Sequence, residues 1–266
     1  MGKILNVNAG TKVLSLADWH GRYTQQGKWT EDIRRHLFAK AQLDYDDTIL
    51  EVGSGTGAIL DLLDREGYHQ LYGIDIKYPS LAFSMSRNVS YHLAQGDGYR
   101  LPFAGDSFSL TYCHYLLLWL ANPAAMLTEL ARVTQPGGWL LALAEPDHQA
   151  RIDYPPPLDT LGELQTQALA AQGVDVQQGR KLGALFQAVG LTEVETGILG
   201  AQWKAEKASE VDETEWLTLQ ADLAERLTTK RLTDYRDAEE RARQQGSRVL
   251  FIPTFYAIGR VNKPQQ

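Results

Sequence analysis

Short apolar runs alternate with helix-like patterns between about residue 30 and residue 146 of the 266-residue chain. Between the runs, apolar residues recur at helical spacing, first at Ile33, Leu37 and Phe38 after the potential N-cap Thr30. This alternation is typical of a parallel sheet with helices on both faces. The apolar runs predict strands at residues 48–52, 71–76, 90–94, 109–114 and 139–145.

The pattern changes after Glu145, where the prolines at positions 146 and 155–157 predict a loop. Two helices, at residues 158–172 and 181–189, and two strands, at residues 193–199 and 249–258, are predicted beyond it. About fifty residues separate these strands, and a connection of that length usually has structure of its own. Asp212 and Glu215 form a possible capping box before leucines at helical spacing, which predicts a helical insert.

Composition and charge narrow the class of function. The chain is 44% hydrophobic and 22% charged, with a formal net charge of −7 and a pI near 5.4. This balance lacks the strong positive charge that usually accompanies binding to nucleic acid or anionic membranes, so we expect a small-molecule partner. The histidines are scattered without the spacing of a metal site, and no metal is predicted.

Cysteine content and apolar run lengths bear on the cellular compartment. A single cysteine, Cys113, excludes an intrachain disulfide and indicates a reducing compartment. Residues 1–15 mix polar and apolar positions without a signal-peptide core, and the longest apolar run, residues 115–121, is too short to span a bilayer. We therefore expect a soluble cytoplasmic protein.

The first predicted strand runs into a loop with glycines at alternate positions, Gly53, Gly55 and Gly57, preceded by Glu51. A strand-loop-helix turn of this kind presents backbone N–H groups and a helix N-terminus to a nucleotide-like cofactor. Asp75 follows about twenty residues later, where a carboxylate can accept hydrogen bonds from a ribose diol. With Ala58 the loop also fits the dinucleotide fingerprint, so the residues alone leave open which cofactor binds.

Four motifs in order resemble the class I S-adenosylmethionine-dependent methyltransferases, in particular the small-molecule family that includes the ubiquinone and menaquinone biosynthesis enzymes. The resemblance covers residues 30–146. It rests on Glu51-x-Gly53-x-Gly55-x-Gly57, Asp75, Gly96-Asp97 with Leu101-Pro102-Phe103, and Arg132-Val133-x-x-Pro136-Gly137-Gly138. It implies an α/β, doubly wound, mostly parallel seven-stranded sheet of Rossmann-like form, with an antiparallel last strand and a helical insert.

The resemblance also implies a cofactor and a set of binding residues. The cofactor is S-adenosylmethionine, with S-adenosylhomocysteine as product. Asp75 would hold the ribose hydroxyls, Asp97 would accept the adenine amino group, and Ile76 would pack against the ring. The full set of cofactor-binding candidates is Tyr23, Glu51, Gly53, Ser54, Gly55, Thr56, Gly57, Asp75, Ile76, Gly96, Asp97, Gly98, Cys113 and His114.

Substrate chemistry is less well specified than the cofactor. His114 is a candidate general base, although it could equally be a strand-end histidine satisfied by backbone. This chain has Leu118 where many relatives have a histidine, which weakens any transfer of their substrate chemistry. Ligands of open α/β sheets bind beyond the carboxyl ends of the strands. The substrate-facing candidates on that basis are Tyr115, Glu145, His148, Arg151 and Tyr154.

The predicted organisation is a lid at residues 1–29, with Tyr23, Gln26 and Trp29 near the cofactor, and a methyltransferase domain at residues 30–266. Residues 146–180 and the helical insert at 201–247, with Trp203 and Trp216, would form a cap on the substrate side. The predicted reaction is methyl transfer to an O, N or C atom of a small molecule. A Rossmann-type NAD(P)-binding oxidoreductase and a non-methylating relative remain alternatives, and the oligomeric state is left open.

Overall fold

A computed structural model describes residues 14–199 and 213–263. The described chain contains a seven-stranded sheet and a separate two-stranded sheet. The nine strands are β1 (Thr48–Val52), β2 (Gln70–Asp75), β3 (His92–Gln95), β4 (Phe108–Cys113), β5 (Thr134–Pro146), β6 (Ile152–Tyr154), β7 (Thr192–Ile198), β8 (Val249–Phe251) and β9 (Thr254–Arg260).

The large sheet has the strand order β3-β2-β1-β4-β5-β9-β7. Strands β1 to β5 pair in parallel, whereas β9 is antiparallel to both of its neighbours, β5 and β7. The predicted mostly parallel, seven-stranded sheet with an antiparallel last strand is therefore confirmed. Parallel pairing brings the carboxyl ends of β1, β2 and β4 to one edge of the sheet, where the glycine loop begins.

The prediction of one strand over residues 249–258 is wrong. The chain forms β8, which pairs with β6 in the small sheet, and then β9, which enters the large sheet. Pro253 lies between them, and proline has no N–H to donate to a continuous ladder. Conversely, β5 starts earlier than predicted, at Thr134, with an irregular register before Trp139.

The helices cover both faces of the large sheet. They are α1 (Leu16–Trp29), α2 (Glu31–Lys40), α3 (Ala58–Glu66), α4 (Tyr78–Met85), α5 (Pro123–Val133), α6 (Leu158–Ala171), α7 (Gln178–Ala188), α8 (Glu213–Leu223) and α9 (Thr229–Gln244). One buried cluster packs α5 and α7 on Leu50 and Val52, and the opposite cluster packs α2 and α3 on Ile49. The two clusters follow from the alternation of side chains along a strand.

A third buried cluster joins α6, α8 and α9, with Leu161, Trp216 and Leu223 at its centre. These helices supply the described part of the predicted cap, while Trp203 and Asp212 lie outside the described residues, as do residues 1–13 of the predicted lid. No helix within the described ranges is both long and apolar enough to cross a membrane.

Candidate cofactor and active site

The glycine loop connects β1 to α3 in a conformation that requires glycine. Gly53, Gly55 and Gly57 have φ values of +79°, +52° and +76°, which side chains rarely adopt. A Cβ atom on Gly57 would lie 2.4 Å from the Tyr91 hydroxyl. At Gly55 an added Cβ would be in ordinary van der Waals contact with Tyr23 at 3.8 Å and with Asp75 at 3.9 Å. The backbone at Gly55 is therefore bordered by Tyr23 of α1 and by Asp75.

Asp75 is at the end of β2 and faces this loop. Its Oδ2 accepts a hydrogen bond from the Gly55 N–H at 2.8 Å, and its Oδ1 accepts one from the Lys77 N–H at 2.7 Å. Each carboxylate oxygen has a second lone pair, and the residue is partly exposed. Asp75 therefore positions the loop and keeps acceptor capacity for a diol.

The end of β3 supplies a second acid at the same edge of the sheet. Asp97 is exposed, and its Oδ1 accepts a hydrogen bond from the Tyr99 N–H at 2.9 Å. Its Oδ2 has no hydrogen-bond partner within the described chain. The turn therefore uses only Oδ1, and Oδ2 can accept a hydrogen bond from a ligand. Ile76, next to Asp75, is 65% exposed. Gly96 and Gly98 lie on either side of Asp97.

Glu51 lies beneath the loop on the side of α2 and α3. Its side chain is buried, and Oε2 has no hydrogen-bond partner among the residues of the described ranges. Burial raises the pKa of Glu51 to about 8, against the opposing influence of the neighbouring Tyr112 hydroxyl. The buried Ser54 Oγ is also without a partner in that part of the chain. Unsatisfied buried polar atoms are costly, so this set has capacity for a polar ligand group.

His114 follows β4 and contacts the junction of α1 and α2. Its Nε2 is 3.2 Å from the hydroxyl of the buried Thr30. Burial and then the nearby Arg34 guanidinium lower the pKa of His114 to about 3. The ring is therefore neutral at physiological pH but a weak proton acceptor, which favours a positioning role over that of a general base. Cys113, fully buried before it, has a thiol pKa raised by burial and packs as an apolar residue.

Tyr115 is the substrate-facing candidate best placed near the end of β4. Its φ of +52° is strained for an aromatic residue, and its ring packs edge-on against His114 with centroids 4.8 Å apart. Burial raises its pKa to about 12, with Thr254, Arg22 and Glu215 among the groups that influence it. Arg22 and Glu215 belong to α1 and α8, so both helices approach this strand end.

Glu145 is not substrate-facing, which corrects the sequence prediction. It is fully buried, and its carboxylate accepts hydrogen bonds from the backbone N–H groups of Leu116, Leu117 and Leu118 at 3.0, 2.8 and 3.1 Å. These amides open the short 3₁₀ turn Leu117–Trp119. Burial raises the pKa of Glu145 to about 7, although the three backbone hydrogen bonds oppose the shift. Glu145 therefore holds the loop that follows β4.

Three other candidates lie together around the small sheet. His148 and Arg151 line a cleft of about 590 Å³ between α6 and the segment 148–153. Arg151 forms an ion pair with Asp153 at 2.6 Å, and Asp153 forms a second ion pair with Arg248. Tyr154 is 53% exposed on β6. Arg151 therefore stabilises the cap, whereas the roles of His148 and Tyr154 stay predictions.

Helix α1 packs over α3 next to the loop, at the position predicted for a lid. Gly27 lies against α3, where an added Cβ would be 2.6 Å from Ile59 and 2.7 Å from Leu62. Tyr23 reaches Gly55, Gln26 is partly buried, and Trp29 is 51% exposed at the helix end. The structure thus places Tyr23 at the loop, while Trp29 faces outward.

Residues that sequence reasoning missed hold α1 to the loop. His20 Nδ1 is 3.1 Å from the Thr56 hydroxyl, and its Nε2 is 3.0 Å from Arg87 Nη1. Arg87 also donates to the Thr56 carbonyl at 2.8 Å and to Asp61 at 2.5 Å. Nothing in the sequence signals these contacts, because the partners of His20 are 36 and 67 positions away.

The sheet order, with the glycine loop after β1 and the acids after β2 and β3, is that of a Rossmann-like methyltransferase fold. Residues 50–142 match the family model described as a methyltransferase domain. This stretch is thus similar to methyltransferase domains, and the curated relatives that match it are named as methyltransferases. Within the described ranges, no group of three or more histidine, cysteine or acidic side chains is arranged to hold a metal ion.

Comparisons with individual proteins agree on this domain. The chain is 34% identical over 123 residues to demethylmenaquinone methyltransferase of Corynebacterium urealyticum, covering 46% of this chain and 50% of that protein. It is 28% identical over 123 residues to malonyl-acyl-carrier-protein O-methyltransferase of Marinomonas sp., covering 45% and 46%. The matched stretch thus spans about half the length of these curated relatives.

A solved structure extends the likeness in fold beyond the matched stretch. Phosphoethanolamine N-methyltransferase 2 of Haemonchus contortus, solved in complex with S-adenosyl-L-methionine, has a TM-score of 0.57 at 12% identity. The superposition covers 94% of this chain and 61% of that one. At this identity the likeness shows a shared fold.

Proposed function

We propose that this protein binds S-adenosylmethionine at the carboxyl edge of β1, β2 and β3 and transfers its methyl group to a small molecule. The observation that carries the proposal is the convergence of the positive-φ glycine loop, Asp75 and Asp97 on that edge of the sheet. The family match at residues 50–142 favours this activity over a dinucleotide oxidoreductase. The acceptor atom, O, N or C, stays open.

The residues present fit the proposed cofactor. Asp75 has acceptor capacity for a ribose diol, and Asp97 Oδ2 has capacity for the adenine amino group. Ile76 offers an exposed apolar surface to a ring face. The buried Glu51 carboxyl, unpartnered at Oε2 in the described part of the chain, suits the ammonium group of the methionyl end. Tyr23, Ser54, Thr56, Gly57, Gly96 and Gly98 complete the set, with Cys113 and His114 at the end of β4.

The sulfonium of this cofactor supplies an already activated methyl group. The protein therefore has to align the acceptor, exclude water and manage a proton. Helix α1 covers the loop at Tyr23, and α1 and α8 both approach Tyr115. Because the pKa of Tyr115 is about 12, its hydroxyl stays protonated and can donate a hydrogen bond to an acceptor. The neutral His114, held by Thr30, orients the end of β4.

The net charge of −7 supports a neutral or cationic small molecule over a nucleic acid as the acceptor. The relatives' names describe methyl transfer to demethylmenaquinone and to malonyl-acyl carrier protein. The small-molecule acceptor and the cytoplasmic location predicted from the sequence belong to the same proposal.

Incubation of the purified protein with methyl-labelled S-adenosylmethionine and fractionated cell metabolites tests this function. We expect label in one fraction, which should contain a compound that has gained one methyl group. The Asp75→Ala variant should transfer no label. Tight binding of S-adenosylhomocysteine without transfer to any fraction would favour the non-methylating alternative.

A further inference from the structure

A cluster of polar side chains behind the glycine loop links helix α1 to the cofactor site. His20 of α1, Thr56 of the loop, Asp61 of α3 and Arg87 after α4 are all within hydrogen-bond reach of at least one other member. Tyr91 adds a hydrogen bond from its hydroxyl to Asp61 at 2.7 Å. We call these five residues the latch. The proposed function does not account for it.

The hydrogen-bond geometry favours one protonation state of His20. An arginine side chain can only donate, so Nε2 of His20, 3.0 Å from Arg87 Nη1, must be the acceptor. The proton of the neutral ring is then on Nδ1, which donates to the Thr56 hydroxyl at 3.1 Å. Burial, and after it the Arg87 charge, lower the pKa of His20. These contacts are therefore those expected of the neutral Nδ1–H tautomer.

The latch acts on the part of α1 that reaches the cofactor loop. His20, Tyr23 and Gly27 are spaced three and four residues apart, which places them on one face of the helix. Gly27 packs on α3, and Tyr23 reaches Gly55. At the other end of the latch, Arg87 Nη2 holds the Thr56 carbonyl at 2.8 Å. The same contacts thus fix both the lid helix and the loop beneath it.

We propose that His20 is a positioning residue whose neutral ring holds α1 closed over the glycine loop, so that acidification releases the helix and weakens cofactor binding. This inference rests on the proposed function for its ligand. A proton on Nε2 would remove the hydrogen bond from Arg87 and place two positive charges together. Arg65 adds to the repulsion, and Asp61 Oδ2, 3.4 Å from Nε2, opposes it.

The direction of the pH dependence follows from linkage. The closed state lowers the pKa of His20 below its ordinary value of 6.5, so the stabilisation of closure is complete above pH 6.5 and is lost as pH falls. If release restores the ordinary pKa of 6.5, affinity should fall between pH 7.5 and pH 5.5, by up to about tenfold.

The test is calorimetric titration with S-adenosylhomocysteine at both pH values. In His20→Gln the side-chain amide can accept a hydrogen bond from Arg87 but cannot titrate. We expect its affinity for S-adenosylhomocysteine to lie within about threefold of wild type at pH 7.5. The part of the affinity loss at pH 5.5 that His20 causes should be absent in this variant. His69→Gln replaces an exposed histidine and should keep the wild-type profile. Equal pH profiles in wild type and His20→Gln would overturn the proposal.

A measurement without ligand separates this inference from the proposed function. We expect faster hydrogen exchange of α1 at pH 5.5 than at pH 7.5, after correction for the intrinsic pH dependence, in wild type but not in His20→Gln. NMR of the wild-type histidine rings at pH 7.5 should show the proton of His20 on Nδ1, and a proton on Nε2 would contradict the latch. If wild type binds no S-adenosylhomocysteine at pH 7.5, the proposed function fails while these two measurements still decide the latch.

Discussion

At the scale of single residues, the sequence predicted the positions of the acids at strand ends. It did not predict which acid binds backbone amides distant along the chain. Asp75 and Asp97 follow apolar runs, and parallel strands bring their ends to one edge, so sequence alone placed them together. Glu145 also ends a predicted strand, but its carboxylate binds amides 27 to 29 positions away. His20 has partners even further along the chain. The spacing of neighbouring residues in the sequence predicts neither the contacts of Glu145 nor those of His20.

Glu51 provides a test at this scale in the protein without ligand. Its folded-state pKa of about 8 exceeds its ordinary value of 4.5, so its contribution to stability is full below pH 4.5 and is lost as pH rises through 8. Glu51→Gln should therefore increase the free energy of unfolding at pH 8.5 by up to about 5 kcal/mol, with little gain at pH 4.5.

The same substitution should weaken S-adenosylhomocysteine binding at pH 7.5 by about tenfold, because an amide cannot pair with an ammonium. Denaturant unfolding at the two pH values and calorimetric titration measure the two effects. Glu225→Gln, at an exposed position, is the matched control and should change neither. A Glu51→Gln protein that is less stable than wild type at pH 8.5 would contradict this account of the buried carboxyl.

At the scale of elements, the hydrophobic periodicity of the sequence predicted most of the strands. It did not predict which strands pair with each other. The run at residues 249–258 looks continuous, yet Pro253 divides it between two sheets. Helix α1 was predicted as a lid segment, and its start is set by Ser15 and Asp18, which form a capping box. Gly21 and Gly27 weaken the helical signal within it, and only the structure shows that Gly27 is needed for contact with α3.

Two glycines of α1 give a matched pair for the role of this helix. Gly27→Ala places a methyl group 2.6 Å from Cδ1 of Ile59 and 2.7 Å from Cδ1 of Leu62, so these side chains have to turn away or α1 has to shift from α3, and we expect the affinity for S-adenosylhomocysteine to fall about two- to tenfold. Gly21→Ala meets no atom within 4 Å and should stabilise the helix by up to about 1 kcal/mol with unchanged affinity. Calorimetric titration and thermal unfolding measure both variants. Equal affinities would show that α1 is not part of the cofactor site.

At the scale of the whole molecule, the sheet and the cap have separate hydrophobic clusters. The clusters on the sheet include residues from β1, β4 and β5, while the cluster of α6, α8 and α9 contains none of them. The sequence predicted a helical insert but not its pairing with α6, since the segments are distant along the chain. This separation suits a protein in which the sheet binds the cofactor and the cap selects the acceptor.

Leu223→Ala tests that division. The side chain is fully buried in the cap, so its truncation should cost about 2 to 5 kcal/mol of stability within the cap. Hydrogen exchange should increase in α6, α8 and α9 while β1 and β4 stay protected. The affinity for S-adenosylhomocysteine should change less than about twofold, because the variant leaves the cofactor residues in place. An equal loss of protection from hydrogen exchange in β1 and β4 would show that the sheet and the cap unfold as one cooperative unit.

The most direct test of the central claim is the binding of S-adenosylhomocysteine, compared with NADH, to wild type and to Asp75→Ala and Asp97→Ala at pH 7.5. Exposed Asp46→Ala serves as the control. We predict one-to-one binding of S-adenosylhomocysteine to wild type and to the control, affinities at least about tenfold weaker in both site variants, and no binding of NADH. Binding of NADH alone, or wild-type affinity for S-adenosylhomocysteine in both site variants, would contradict the placement of the cofactor at this edge of the sheet.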